Sequence, residues 1–124
     1  MKKTIFLLLI LFSTFSHSIT VSDFRQVMQT ESSYPEDMKL YFSGLVGSAL
    51  MFNIKSLDMN GKRFFCSPGN KVHEVDEHIQ ITNWYIETTG DKMRNEYRKI
   101  GRNFDAADIS EIYALAVMAY HSCE

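Results

Sequence analysis

Apolar residues recur at intervals of three and four along nearly the whole chain after residue 18. This spacing predicts amphipathic helices, because 3.6 residues make one turn and such positions then share one face. The clearest case is the stretch 34–57, whose expected inner face consists of Met38, Tyr41, Phe42, Leu45, Val46 and Ala49. Strand-like alternation of apolar and polar residues is not convincing in any segment. The pattern therefore predicts an all-α fold.

Capping residues and glycines divide this pattern into a small bundle of about five helices. Ser22 is a candidate N-cap for the first helix, and Pro35 suits the first position of the second. Asp105 or Asp108 is expected to cap the last helix. Three glycines are expected to end the helices between these points, because glycine readily takes the left-handed conformation: Gly61, Gly90 and Gly101.

Two further glycines, Gly44 and Gly47, fall inside the second predicted helix. Each lowers helix stability by roughly 1 kcal/mol relative to alanine. The expected compensation is close approach of another helix. We therefore interpret Gly44 and Gly47 as helix-packing positions rather than as ligand contacts.

The first 18 residues have the layout of a secretory signal peptide. Lys2 and Lys3 precede an apolar run of about a dozen residues, and small residues follow at Ser16 and Ser18. A membrane-spanning helix needs roughly 20 apolar residues, so an uncleaved anchor is the weaker interpretation. Cleavage after Ser18 predicts one domain, residues 19–124, in the periplasm and without membrane association.

Export makes Cys66 and Cys123 a candidate disulfide, because disulfides form and persist in oxidising compartments. Two cysteines allow one internal bridge, which here closes a loop of 58 residues. The alternatives are a metal site, a reactive thiol and pairing between chains. The bridge is favoured because no Cys-x-x-Cys occurs and the nearest histidine, His73, lies seven residues away.

The sequence offers little support for catalysis, a cofactor or nucleic-acid binding. Without the first 18 residues, 11 basic side chains face 15 acidic ones, whereas nucleic-acid-binding proteins usually carry a basic surplus. His73 and His78 are five residues apart, so on one helix they point about 140° apart and do not clasp one metal ion. The favoured interpretation is that His73 pairs with Glu77, and His78 with Glu74, on a solvated face. We expect no enzyme and no cofactor.

Two features fit a binding role. The first is a polar turn, 87–92, expected to protrude between the third and fourth helices with Thr88, Thr89, Gly90 and Asp91 at its tip. The second is a basic stripe spaced at four residues: Arg94, Arg98 and Arg102. The alternatives are a simple connection for the turn and a solvated face near a helix C-terminus for the stripe.

The order of these features resembles the Rap/Tai family of periplasmic immunity proteins. The resemblance runs from Tyr41 to Cys123 and rests on the helix with "YFSGLVGSA", the motif "FFCSP" and a cysteine after an alanine-rich last helix. The family often ends in Pro-Cys, whereas this chain has Ser122-Cys123. These proteins protect a bacterium from the peptidoglycan amidases that neighbouring cells inject through type VI secretion.

The resemblance implies a small helical protein, often a homodimer, that inserts an inter-helix loop into the active-site groove of its toxin. It also supports the bridge Cys66–Cys123 and a packing role for Gly44. From the turn itself we predict that Thr88–Asp91 is the inserted loop. Two other functions fit a small exported helical protein with one bridge: an acid-activated periplasmic chaperone, which exposes apolar surface as carboxylates are protonated, and an inhibitor of another cell-wall hydrolase such as lysozyme.

Overall fold

The computed structural model describes residues 18–67 and 74–123. Four α-helices are found there: α1 Val21–Thr30, α2 Glu36–Asn60, α3 Val75–Lys99 and α4 Ile109–Tyr120. A single 3-10 turn, Phe104–Ala106, precedes α4. These two ranges hold no strand, only an isolated β-bridge between residues 20 and 108. The all-α prediction is confirmed, and residues 1–17 of the predicted signal peptide lie outside the described residues.

The helix count differs because α3 runs without interruption through 87–92, where a turn was predicted. The hydroxyl groups of Thr88 and Thr89 donate hydrogen bonds of 2.8 and 2.6 Å to carbonyl oxygens four residues earlier in the same helix. Gly90 is buried in the middle of this helix and does not have a positive φ. The prediction of a helix end at Gly90 and a protruding turn is therefore wrong.

The residues that cap the N-termini of α1 and α2 differ from the predicted ones. Thr20 caps α1: its hydroxyl accepts from the amide of Asp23, whose carboxylate accepts from the amide of Thr20. This reciprocal capping box places Ser22 inside the first turn, so Ser22 is not the cap. Pro35 is the N-cap of α2 rather than its first helical residue.

The other helix ends agree with the sequence. Gly61 follows α2 with a φ of 66°, and Gly101 follows α3 with a φ of 72°. Asp108 caps α4, because its carboxylate accepts a hydrogen bond of 2.9 Å from the amide of Ser110. The same carboxylate accepts a hydrogen bond of 2.8 Å from the hydroxyl group of Tyr41, which joins α2 to the start of α4.

The core is built around α3, which packs on α2, on α4 and on the 3-10 turn. Three aromatic rings connect α1, α2 and α4: the centroid of Phe42 lies 5.7 Å from that of Phe24 and 5.9 Å from that of Tyr113. All three side chains are buried. Truncation of a buried phenylalanine costs about 3–5 kcal/mol, so this cluster is a major part of the stability.

The predicted disulfide is confirmed: Cys66 and Cys123 are bonded. The amide of Cys66 also donates a hydrogen bond of 2.7 Å to the carbonyl oxygen of His121. The bridge therefore fixes the chain after α2 to the end of α4. We call residues 61–67 the tethered segment.

Candidate functional site

The tethered segment is fastened to α2 by side chains as well as by the disulfide. The carboxamide oxygen of Asn53 accepts hydrogen bonds of 2.8 and 3.2 Å from the amides of Phe64 and Phe65, and its nitrogen donates one of 3.0 Å to the carbonyl oxygen of Phe65. The hydroxyl group of Ser56 donates one of 2.7 Å to the carbonyl oxygen of Lys62. Four side-chain hydrogen bonds thus hold the backbone of this segment in one conformation.

The two phenylalanines of the tethered segment have different roles. Phe65 is buried, with 4% of its surface exposed, and anchors the segment to the core. Phe64 is 43% exposed and stacks on Phe52 of α2, with ring centroids 4.6 Å apart. Phe52 itself is 59% exposed. The result is an exposed aromatic pair on a backbone that is already ordered.

An apolar groove of about 360 Å³ lies beside this pair, between α2 and α4. Its lining includes Leu45, Ala49, Phe64, Tyr113, Val117 and Met118. Burying one large apolar side chain is worth about 1.5–3 kcal/mol. The groove and the aromatic pair together have the composition of a protein-binding surface, in which aromatic and methionine side chains are enriched.

Asn53 was not among the predicted functional residues, although it supplies three of the four side-chain hydrogen bonds to the tethered segment. The available signal was its position: Asn53 is an amide in an otherwise apolar stretch of α2, one turn from Ala49 on the inner face. A polar group on that face must find hydrogen-bond partners. Their identity depends on where the chain returns after Gly61.

Part of the predicted contact set lies on a polar groove of about 290 Å³ between α1 and α3. Gly90, Asp91 and Arg94 line it together with Arg25. Arg94 donates to Asp91 at 3.0 Å and to Asp105 at 3.3 Å, and Arg25 lies 3.6 Å from Asp105. The hydrogen bond to Asp105 raises the pKa of Arg94. These charges pair with one another and fasten α1 and the 3-10 turn to α3.

The predicted basic stripe is not brought together as one open cationic surface. Arg102 donates hydrogen bonds of 3.0 and 3.2 Å to the carboxylate of Glu111 and lies over the ring of Tyr97 at 5.0 Å. Arg94 is paired as described above. Of the three arginines, only Arg98 is exposed without an ion pair to another described residue, so its charge stays open to a partner. Thr88 and Thr89 lie on the side of α3 rather than on a loop.

The prediction that His78 lies on a solvated face is wrong. His78 is buried, with 1% exposed, and its Nδ1 lies 2.9 Å from the hydroxyl oxygen of Tyr113. Burial raises the pKa of Tyr113. His73 lies outside the described residues. Within the described ranges, no group of three histidine, cysteine, aspartate or glutamate side chains is placed to hold a metal ion.

Gly44 and Gly47 are both exposed on α2. A Cβ atom built on either glycine meets nothing within 4 Å. The expected contact with another helix of the same chain is therefore not present among residues 18–67 and 74–123. The sequence correctly placed both glycines inside a helix, and the packing role expected for them stays a prediction.

None of the described helices is long and apolar enough to cross a membrane. Comparison of the chain with protein-family models, with curated proteins and with solved structures finds no match. The resemblance to the Rap/Tai family thus rests on the residues of the chain itself, and the function it implies stays a prediction.

Proposed function

We propose that this protein is a periplasmic immunity protein that binds a type VI secretion peptidoglycan amidase and blocks its active-site groove. The observation that carries the proposal is the tethered segment, which presents Phe64 beside an apolar groove on a backbone fixed by a disulfide and by Asn53. The likeness of "YFSGLVGSA" and "FFCSP" to the Rap/Tai motifs supports the choice of target.

The contact surface we propose is the tethered segment with the apolar groove. It takes the place of residues 88–91, because α3 is continuous there and offers no loop for insertion. The tethered segment belongs to the connection between α2 and α3, so the idea of an inter-helix loop is kept at a different position. Inhibition of this kind needs no covalent step, since a bound protein excludes the peptide substrate from the groove.

The fixed backbone supports tight inhibition by a physical argument. Ordering a flexible loop upon binding costs about 0.5–1.5 kcal/mol for each immobilised side chain. The disulfide and the hydrogen bonds from Asn53 meet this cost during folding instead. Truncating a central aromatic residue of an interface to alanine often weakens binding by about 2 kcal/mol or more. A loss of this size lowers the affinity roughly 30-fold.

The test is a peptidoglycan-cleavage assay with type VI secretion peptidoglycan amidases from the genome that encodes this chain, each titrated with the oxidised protein. We expect near-stoichiometric inhibition, and about 30-fold weaker inhibition by the variant Phe64→Ala. The matched control is Ile100→Ala, since Ile100 is 67% exposed but lies at the C-cap of α3 and lines neither groove. Equal inhibition by Phe64→Ala and by the native protein would contradict the proposed contact surface.

The acid-activated chaperone has weaker support. Such a chaperone hides its apolar surface until carboxylates are protonated, whereas α2 already exposes Met51, Ile54 and Met59 by 58–78%. An inhibitor of lysozyme would use the same kind of surface. The assay above, repeated with lysozyme as the second enzyme, distinguishes between the two targets. If the protein inhibits lysozyme but no amidase, the amidase is excluded as its target.

A further inference from the structure

Three basic side chains border the exposed aromatic pair, Phe52 and Phe64. Lys62 and Arg63 directly precede Phe64 in the tethered segment. Lys55 follows Phe52 by three residues in α2, which places these two side chains about 60° apart around the helix axis. All three basic residues are exposed. We call Lys55, Lys62 and Arg63 the basic rim.

The charges of the basic rim are open, unlike those of two arginines elsewhere in the fold. No member of the rim forms an ion pair with another described residue of the chain. Arg94, in contrast, lies 3.0 Å from Asp91, and Arg102 lies 3.0 Å from Glu111. The cations of the rim therefore do not stabilise the fold by pairing and stay available to a partner.

The basic rim also reverses the charge balance of the chain. Residues 50–67 carry three basic side chains and a single acidic one, Asp58. Residues 19–124 as a whole carry 11 basic and 15 acidic side chains. Asp58 lies three residues beyond Lys55, on the side of α2 that is turned further away from Phe52. A mildly acidic chain thus has a locally positive surface at its candidate contact site.

The fold fixes the backbone that carries two of these charges. The carbonyl oxygen of Lys62 accepts a hydrogen bond of 2.7 Å from Ser56, and the amide of Phe64 donates one of 2.8 Å to Asn53. The backbone is therefore held on both sides of Arg63, so the cations and the ring of Phe64 meet a partner together. Charges placed around an apolar contact attract a surface of opposite charge and disfavour a surface of like charge.

The shape of the apolar part favours a protein over a lipid surface as the anionic partner. The space of about 360 Å³ beside the aromatic pair is a groove between two helices, α2 and α4. Side chains of a folded protein fill such a groove at the core of an interface. Amphipathic proteins bind a bilayer in the opposite way, by burying their own apolar side chains in it.

We infer that the active-site groove of the target enzyme is bordered by carboxylates, which the basic rim recognises while the ring of Phe64 enters an apolar subsite. This inference rests on the proposed function and narrows it, because it selects among amidases. An amidase with an acidic groove is inhibited, and one with a basic groove is not. The rim acts mainly on the rate of association, since long-range attraction orients the two proteins before they touch.

Stopped-flow binding to the inhibited amidase tests the basic rim. We expect the association rate constant of the native protein to fall about tenfold or more between low salt and about 1 M salt, where the Debye length shrinks to about 3 Å. Lys62→Glu and Arg63→Glu are each expected to lower this constant about tenfold at low salt. Arg63→Lys keeps the charge and is expected to stay near the native value.

The matched control is Lys92→Glu. It changes the net charge by the same amount as Arg63→Glu, at an exposed position of α3 that lines neither the polar nor the apolar groove. We expect its association rate constant to stay near the native value. Circular dichroism and thermal melts of every variant verify that the fold is retained.

The outcomes separate this inference from the inhibitory role. Inhibition by the native protein with an association rate that is insensitive to salt and to Arg63→Glu keeps the immunity function and contradicts the acidic groove. An equal loss in Lys92→Glu also contradicts it, because the effect then belongs to net charge. Absence of any amidase complex overturns the function and the acidic groove together. In that case, binding to vesicles of phosphatidylcholine with phosphatidylglycerol would assign the rim to lipid.

Discussion

Replacement of Gly90 by alanine distinguishes a continuous α3 from two helices joined by a turn. Gly90 lies inside α3 without a positive φ, and a Cβ atom there would lie 3.7 Å from Nη1 of Arg94, an ordinary contact distance. Alanine therefore fits the existing backbone. Because alanine is about 1 kcal/mol better than glycine in a helix interior, Gly90→Ala is expected to raise the free energy of unfolding by up to about 1 kcal/mol.

Gly101→Ala provides the matched comparison. Gly101 has a φ of 72°, and a residue with a Cβ atom loses roughly 1–2 kcal/mol in this left-handed region. Urea unfolding followed by circular dichroism gives both free energies. We expect opposite signs for the two variants. If Gly90→Ala lowers the free energy of unfolding as much as Gly101→Ala does, then Gly90 ends a helix and the continuity of α3 is refuted.

The remaining predictions concern the disulfide, the hydrogen bonds that Asn53 makes to the tethered segment, and stability in acid. Cys66→Ser with Cys123→Ser is expected to lower the free energy of unfolding by up to about 4 kcal/mol for a loop of this length, measured in urea; a loss below about 1 kcal/mol contradicts it. Asn53→Ala is expected to lower the free energy of unfolding by about 2 kcal/mol and to speed amide hydrogen exchange at residues 64 and 65. Unchanged exchange would contradict the hydrogen bonds from Asn53 to these two amides. Burial raises the pKa of Asp108, but hydrogen bonds from Ser110 and Tyr41 outweigh it and leave this pKa below its usual value. The stability from Asp108 is thus complete above the unfolded pKa of about 3.9 and is lost as pH falls through the lower folded pKa. Asp108→Asn should flatten this acid loss in unfolding curves, and an unchanged acid loss excludes Asp108 as its source.

Features that a few neighbouring residues determine were predicted correctly. The cap at Asp108 and the helix ends at Gly61 and Gly101 each depend on a few neighbouring residues, and all three are found in the structure. The bridge Cys66–Cys123 was predictable because two cysteines allow one internal pairing. The inner face of α2 followed from its spacing, and Met38, Phe42 and Val46 are buried; in the candidate site, the sequence thus supplied the helix and the bridge.

The errors arose where a distant contact decides the outcome. The segment 87–92 has turn-forming composition, yet helical residues on both sides of it, Ile86 and Tyr97, are buried in the same core and keep α3 continuous. His78 was assigned to a solvated face, but α4 covers it through Tyr113. Periodicity within one helix does not reveal which neighbour covers each side.

The same reasoning explains why the binding surface was misplaced. The tethered segment depends on the fold that brings residue 66 back to residue 123, and the hydrogen bonds from Asn53 exist only after the chain has turned at Gly61. A sequence pattern records helical faces and turn composition. It does not record which exposed side chain stands beside a groove built by two helices.

The first experiment is to measure inhibition of type VI secretion peptidoglycan amidases from the same genome by the oxidised native protein, with Phe64→Ala and Ile100→Ala alongside. We expect near-stoichiometric inhibition of one such amidase by the native protein and by Ile100→Ala, and clearly weaker inhibition by Phe64→Ala. Absence of both inhibition and complex formation with the native, folded protein would contradict the immunity function. Equally strong inhibition by the native protein and by Phe64→Ala would support the immunity function but contradict the proposed contact surface.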